Sequence, residues 1–371
     1  MKITVVTPRY TIAGVPLAQC RFARALSERG HLVELVIGYV EPGYAVSPFE
    51  RVRVEVWNRP RVLAMLLPLV RYLRRAAPEV VFAAEDHLNT VVLLAAILAG
   101  SRARISGSSR VTPFDTYSNR PFSKRWVLKQ AARLVMGRAD ALTCVSQDMV
   151  AQYRQVFANP PHVCVYNIVD DRAARQRMTE PVAHPWFDRR EWPVAVAAGR
   201  LAPWKGFADL IEAMALLNQR RPVRLLILGD GPLRSELQGQ IARLGLAERV
   251  SLLGYADNPL KYFTRADVFV LSSHVEGMPN VLVEAMMCGC TPVSVDCPTG
   301  PRELLQGGRY GYLVPMRDPA ALADGIVRAL ANPIPPAVLA EAVRPFAEEA
   351  VIRRHFELLG LTESGQARGQ A

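Results

Sequence analysis

The sequence has no Cys-x-x-Cys pair, no Asp-x-Asp motif and no apolar run long enough to cross a bilayer. Each absence excludes a class of protein. The six cysteines, Cys20, Cys144, Cys164, Cys288, Cys290 and Cys297, lie scattered among apolar residues; this excludes a zinc spacing and leaves reduced core thiols as the expectation. Without Asp-x-Asp, no protein-held divalent metal is implied, so positive charge in any site must come from side chains. The longest apolar run, Val91 to Ala99, falls well short of the about 20 residues that span a membrane. Aromatic residues are only 8% of the chain and are not interleaved with basic ones as in single-strand binders. Helix-turn-helix and zinc-finger signatures are missing too, so no nucleic-acid partner is expected. Charged residues make up 21% against 50% apolar, which argues against extensive disorder outside a tail at Thr362 to Ala371.

What is present suits two domains. The 371 residues exceed one ordinary core, and strand-like runs alternate with helix-like runs in the rhythm of parallel α/β sheets. Strands are expected at Ile3 to Thr7, Leu32 to Ile37, Val80 to Ala83, Ala141 to Ser146 and Val163 to Tyr166, with helices at about Leu17 to Arg29 and Thr90 to Leu98. From Asp170 to Trp192 the pattern dissolves into charges and prolines, as in a linker. It restarts with strands at Val194 to Ala198, Arg224 to Leu228, Val250 to Leu253, Val268 to Leu271 and Thr291 to Val295. Helices are expected at Phe207 to Asn218, Pro232 to Leu244, Val281 to Cys288 and Ala320 to Leu330. The predicted domains are residues 1–178 and 193–371 with a linker at 179–192, the final helix packing back on the first domain. The start, Met1 to Thr7, reads as a first strand rather than a signal peptide, which points to the cytoplasm.

Charge is unevenly divided. Residues 1–180 carry 25 Lys/Arg against 14 Asp/Glu, and the remainder 20 against 20. A basic half suits an anionic membrane face or an anionic substrate. Within it, Arg59 to Arg75 has an aliphatic middle and arginines at both ends. This segment is expected to lie on an anionic bilayer; the competing reading packs Leu63, Leu66, Leu67 and Val70 onto the sheet.

Several loops at predicted strand ends carry chemistry. In Gly199-Arg200-Leu201-Ala202-Pro203-Trp204-Lys205-Gly206, a guanidinium and an ammonium on one loop suit the two phosphates of a diphosphate; two solvated charges beside a turn would look the same. Gly229-Asp230-Gly231-Pro232 permits close approach of a ligand to the backbone, or is simply a turn. The segment Ser272 to Met286 holds Glu276 and Glu284 around a Gly-Met-Pro-Asn turn that starts a helix. There the N–H groups of Asn280 and Val281 form a seat for phosphate. Glu284 shares a face with Asn280 and leans back toward that end, within reach of a ribose, while Glu276 on the preceding loop is placed to accept bonds from sugar hydroxyls. A capped amphipathic helix with two solvated glutamates is the alternative. The loop Asp296 to Leu304 is a shaped turn, and its Glu303 is a ligand group or a first-turn carboxylate.

Together these segments resemble the retaining glycosyltransferase family 4, with its GT-B fold of two Rossmann-like α/β domains facing across a cleft. The resemblance covers most of residues 194–315 and extends in outline to the first domain through Val145-Ser146 and Tyr166 to Asp170. It implies that Arg200 and Lys205 bind the donor diphosphate, Glu284 the ribose and Glu276 the transferred sugar, with Gly199, Gly229, Asn280 and Val281 lining the donor site. The donor is a nucleotide-diphosphate sugar, expected to be a UDP-sugar carrying a hexose or N-acetylhexosamine. No further cofactor is implied, and the acceptor is a glycan or lipid-linked sugar of cell-surface polysaccharide. The same-face, metal-independent chemistry also comes from the resemblance.

The first domain departs from the family pattern twice. Only Gly14, followed by Val15, stands where many relatives have a Gly-Gly pair. Where many carry a catalytic-region His, Ser108-Ser109-Arg110-Val111-Thr112 stands instead, with Arg110 either contacting sugar or phosphate or serving as a buried structural residue. His87, after Glu85 and Asp86, sits at a strand end that is either a site position or a surface turn. Two rival functions fit parts of the pattern, a nucleotide-sugar epimerase or hydrolase and a non-enzymatic membrane-bound adaptor.

Overall fold

The computed structural model describes residues 1–11, 14–46 and 51–362; the tail from 363 lies outside the described residues. In the first unit seven strands form one sheet: β1 (Lys2–Thr7), β2 (Leu32–Ile37), β3 (Val52–Val56), β4 (Val80–Ala84), β5 (Arg104–Ser109), β6 (Ala141–Cys144) and β7 (His162–Cys164). All neighbours run parallel in the order β3-β2-β1-β4-β5-β6-β7. Parallel strands need crossover helices on both faces, so both faces are buried and the strands read as nearly continuous apolar runs. Side chains alternate as the pleat requires. Ile3, Val5, Leu35 and Phe82 enter the core on one face, and Val6, Val36, Val81 and Ile105 that on the other.

The second unit repeats the plan with β8 (Val194–Ala198), β9 (Arg224–Leu228), β10 (Val250–Gly254), β11 (Val268–Leu271), β12 (Thr291–Val295) and β13 (Tyr312–Val314). Their order is β10-β9-β8-β11-β12-β13, again parallel throughout. In both sheets the strand order reverses beside the first strand, between β1 and β4 and between β8 and β11. Such a reversal leaves a crevice at the carboxyl ends of the two strands, because their following loops diverge to opposite faces.

The chain divides at Ile168 and Val169, not within 179–192, and the described residues from Glu348 return to the first unit. The reason lies in the local bonds. Ile168 is buried in the first core, whereas the N–H groups of Val169 and Asp170 donate to the Phe346 carbonyl at 3.0 and 3.2 Å. The charged stretch expected as a linker folds into the helices Arg172–Met178 and Pro185–Asp188. Asn258 Nδ2 donates to the Arg177 carbonyl at 2.8 Å, tying the first of them to the second unit. The helix Glu348–Leu358 sets Val351, Ile352 and Phe356 into the first core, where Phe356 stacks on His31 at 5.5 Å.

The segment Arg59 to Arg75 also differs from expectation. It forms a short 3-10 turn, Val62–Met65, and the helix Leu66–Ala76. Met65, Leu69, Val70, Tyr72 and Leu73 are buried in the core, and of the large apolar side chains Leu63 and Leu67 remain exposed beside the arginines. The apolar face expected to enter a bilayer is largely covered by the sheet. Among the described residues no single helix is long and apolar enough to cross a membrane.

Candidate active site

In the second unit the candidate residues converge on the crevice between β8 and β11. Gly199 and Arg200 follow β8 directly, and the segment Ser272 to Asn280 follows β11. Gly199 donates to the Leu228 carbonyl at 2.9 Å, and Leu201 donates to the Asp230 carbonyl at 3.0 Å, so the loops after β8 and β9 are laced together. Gly229 is required there. Its φ is +141°, and a Cβ would lie 1.9 Å from the Gly199 carbonyl oxygen. Arg200 is exposed, with its loop backbone fixed beneath it.

Lys205 closes a 3-10 turn, Pro203–Lys205, before the helix Phe207–Asn218. Gly206 makes the join at φ +62°, and a Cβ on it would strike the Ser272 carbonyl oxygen at 2.0 Å. That close approach brings the β8 and β11 loops together, and three further bonds secure it. Ser272 Oγ donates to the Lys205 carbonyl at 2.9 Å. The His274 N–H donates to the Trp204 carbonyl at 2.8 Å, and His274 Nε2 lies 2.7 Å from Asp209 Oδ2.

The consequence is an ion pair. Lys205 Nζ lies 2.6 Å from Glu276 Oε1, with the two side chains 20% and 10% exposed. Thr299 Oγ1 donates to the Glu276 carbonyl, and Gly300, at φ +93°, packs so closely on Pro279 that a Cβ would lie 2.6 Å from its Cδ. The Cys297 to Gly300 loop therefore buttresses the Glu276 segment. Burial pushes the Cys297 thiol up to about 12, so it stays protonated in its packing role. The helix Asn280–Met287 begins just beyond, after Pro279. Its inner side buries Leu282, Val283, Ala285 and Met286, while Asn280, Val281 and Glu284 are half-buried. Asn280 and Glu284 stand one turn apart on the same face.

Sequence reasoning missed the His274–Asp209 contact and the Thr299 bond. Asp209 reads as an ordinary first-turn carboxylate and His274 as a loop residue, and only the fold joins them. Among the described residues no group of three or more His, Cys, Asp and Glu side chains is arranged to hold a metal.

The first-unit candidates have different surroundings. Gly14 opens the helix Gly14–Glu28 at φ +64°, facing open space. Arg110, just past β5, donates from Nη1 to Asn167 Oδ1, and its Nε has no partner among the described residues. Desolvation lowers its pKa to about 10, opposed by the Glu85 charge, so it remains cationic at neutral pH. It lines a small cavity of about 20 Å³ with Gln19, Ser106, Ser108, Asn167 and His355. Asp86 is a structural knot. It accepts hydrogen bonds from Ser109 Oγ, Tyr117 OH and Tyr153 OH at 2.8, 3.0 and 2.8 Å, while the adjacent His87 faces solvent.

Comparisons with known proteins agree with this architecture. Residues 192–332 match the glycosyl transferases group 1 family, and residues 13–167 match the glycosyl transferase 4-like domain. An N-acetylgalactosaminyltransferase of Campylobacter jejuni, named for the acceptor N-acetylgalactosamine-N,N'-diacetylbacillosaminyl-diphospho-undecaprenol, is 31% identical over 63% of this chain; the match spans 62% of that relative. The GDP-mannose-dependent alpha-(1-6)-phosphatidylinositol monomannoside mannosyltransferase of Mycolicibacterium smegmatis is 30% identical over 67% of this chain and 68% of its own length. Among solved structures, Anabaena Alr3699/HepE in complex with UDP superposes with a TM-score of 0.75 at 23% identity, covering 97% of this chain and 99% of that one. With two Rossmann-like units and these matches across both, the chain has the GT-B fold and belongs to the group 1, family 4-like glycosyltransferases.

Proposed function

We propose that the protein is a retaining glycosyltransferase that moves a hexose or N-acetylhexosamine from a UDP-sugar to a glycan or lipid-linked acceptor of cell-surface polysaccharide, without a protein-held metal. The observation that carries this reading is the convergence of Lys205, Glu276 and the start of the helix Asn280–Met287 at the β8–β11 crevice. A lipid-linked acceptor is favoured by the name of the Campylobacter relative, and a uridine nucleotide by the HepE complex. The mannosyltransferase name makes a guanosine nucleotide the competing donor.

In this mechanism Arg200 and Lys205 neutralise the donor diphosphate, helped by the N–H groups at Asn280 and Val281, whose orientation at a helix start favours negative charge. Gly199 and Gly229 let the backbone approach the donor, and Glu284 holds the ribose. Glu276 holds the transferred sugar, its carboxylate positioned by Lys205. The bond from the anomeric carbon to the diphosphate oxygen breaks as charge develops on the leaving group, which the fixed cations stabilise. The acceptor hydroxyl forms the new bond on the same face and passes its proton to the departing phosphate oxygen. Arg110 and Gly14, in the first unit, serve as contacts for acceptor or phosphate in this reading. The enzyme works at the cytoplasmic face of a membrane as a peripheral protein.

The test is thermal melting with a panel of UDP- and GDP-sugars, since ligands selective for the folded state raise Tm, followed by transfer assays with a membrane extract. UDP-sugars should stabilise the protein, and the product linkage should keep the donor's anomeric configuration, with activity surviving excess chelator. Donor consumption without any acceptor would instead identify an epimerase or hydrolase. Loss of turnover to chelator, restored by a divalent ion, overturns the metal-independent chemistry.

A further inference from the structure

We propose that the outer face of the helix Lys124–Val135, together with Phe122, is the surface that lies on an anionic lipid bilayer. This inference rests on the peripheral-membrane reading above and gives it a place other than the Arg59 to Arg75 segment. The helix buries Lys129, Ala132 and Val135 on its inner side, packing toward the helix Asp86–Ala99. A helix packed on one side normally turns polar residues outward. Here the opposite face carries Trp126, Val127 and Leu134 beside Gln130 and Arg133, with Val127 54% and Leu134 84% exposed, and Phe122 stands 89% exposed before the first turn. Phe122 has φ +58°, a conformation unfavourable for a bulky residue, and its ring lies 5.7 Å from that of Trp126.

The patch is fixed to the domain. Ser123 Oγ caps the helix by accepting from the Trp126 N–H at 3.1 Å. Arg125 Nη2 donates to the Tyr117 carbonyl at 2.9 Å, and Lys129 Nζ to Asn119 Oδ1 at 2.6 Å. Charge selects the occupant. Residues 116–139 contain Arg120, Lys124, Arg125, Lys129, Arg133 and Arg138 and no Asp or Glu. Arg120, Lys124 and Arg133 are exposed around the apolar stripe. Apolar side chains at the centre with cations at the margin match acyl chains beneath anionic headgroups. A protein partner would need its own acidic rim and is the alternative outcome.

Flotation with phosphatidylcholine vesicles, with and without phosphatidylglycerol, tests this at low salt. The intact protein should float with the anionic vesicles. Phe122→Ser/Leu134→Ser and, separately, Lys124→Gln/Arg133→Gln should each weaken binding roughly tenfold or more without lowering Tm. Arg71→Gln/Arg74→Gln/Arg75→Gln should weaken it by less than about threefold. Normal binding by both patch variants, with loss in the arginine triple variant, overturns this placement and keeps the membrane reading. Failure of the intact protein to float overturns the membrane reading itself. Self-association of the intact protein that Phe122→Ser/Leu134→Ser abolishes, in the absence of vesicle binding, assigns the patch to a second copy of the chain and overturns the bilayer as occupant.

Discussion

Replacing Lys205, Glu276 or both with alanine tests whether the pair acts as one unit. At 2.6 Å the gross attraction is about 6 kcal/mol for an effective dielectric of about 20. Desolvation of two largely buried groups offsets most of it. A net coupling of about 1–3 kcal/mol remains, the range for contacting charged residues. Either single substitution leaves the other, largely buried charge without its partner, so each costs nearly as much as the pair. The double variant should therefore be more stable than the sum of the single losses by about 1–3 kcal/mol. Urea unfolding of the four proteins measures this directly, and turnover on the best-stabilising nucleotide sugar gives a parallel cycle. There Lys205→Ala should cost roughly 100-fold, since the ammonium faces charge that grows as the diphosphate leaves. Losses in stability that add to within about 0.5 kcal/mol would refute the coupling, and Lys205 would then act on the donor without positioning Glu276.

Other consequences follow from the same geometry. Arg200→Ala should reduce turnover roughly 100-fold with little change in Tm, because the side chain is exposed; normal turnover removes it from the diphosphate site. Glu284→Ala should chiefly weaken nucleotide binding and Glu276→Ala chiefly slow transfer, and indistinguishable kinetics would remove their separate roles. Gly229→Ala forces a Cβ to 1.9 Å from the Gly199 carbonyl oxygen and should cost about 3 kcal/mol or more, read by urea unfolding; an unchanged midpoint contradicts the close approach. Burial lowers His355 to about 3 and His162 to about 4. Both remain neutral in the folded state while the unfolded chain takes up protons below about pH 6.5, so stability falls with pH from there toward pH 4. Each should lose about 2 kcal/mol between pH 7 and 5. His355→Gln should flatten that slope, and an unchanged slope would rule out its part.

The sequence by itself determined the parallel α/β class, most strands, and the segments that meet at the candidate site. Buried parallel strands must be apolar on both faces, so Ile3 to Thr7 and Val194 to Ala198 announce themselves. Glycine and proline loops mark their ends, which made Gly199, Gly229 and the Glu276 to Glu284 segment legible. Strands β3 and β5 escaped for different reasons: Val52 to Val56 alternates valines with Arg53 and Glu55, the period of a half-exposed edge strand and not a continuous apolar run, while the serines and glycine of β5 leave almost no apolar run at all. The charged stretch after Asp170 reads as a linker since its helices are short, and the Asn258 bond that anchors it comes from residues far along the chain. Only tertiary structure could unite Lys205 with Glu276, or His274 with Asp209, because strand order, not sequence distance, puts the β8 and β11 loops side by side. Only it could show which basic apolar segment stays exposed. The helix Leu66–Ala76 finds a sheet to cover most of its apolar face, whereas the helix Lys124–Val135 buries one side and leaves Val127 and Leu134 exposed on the other.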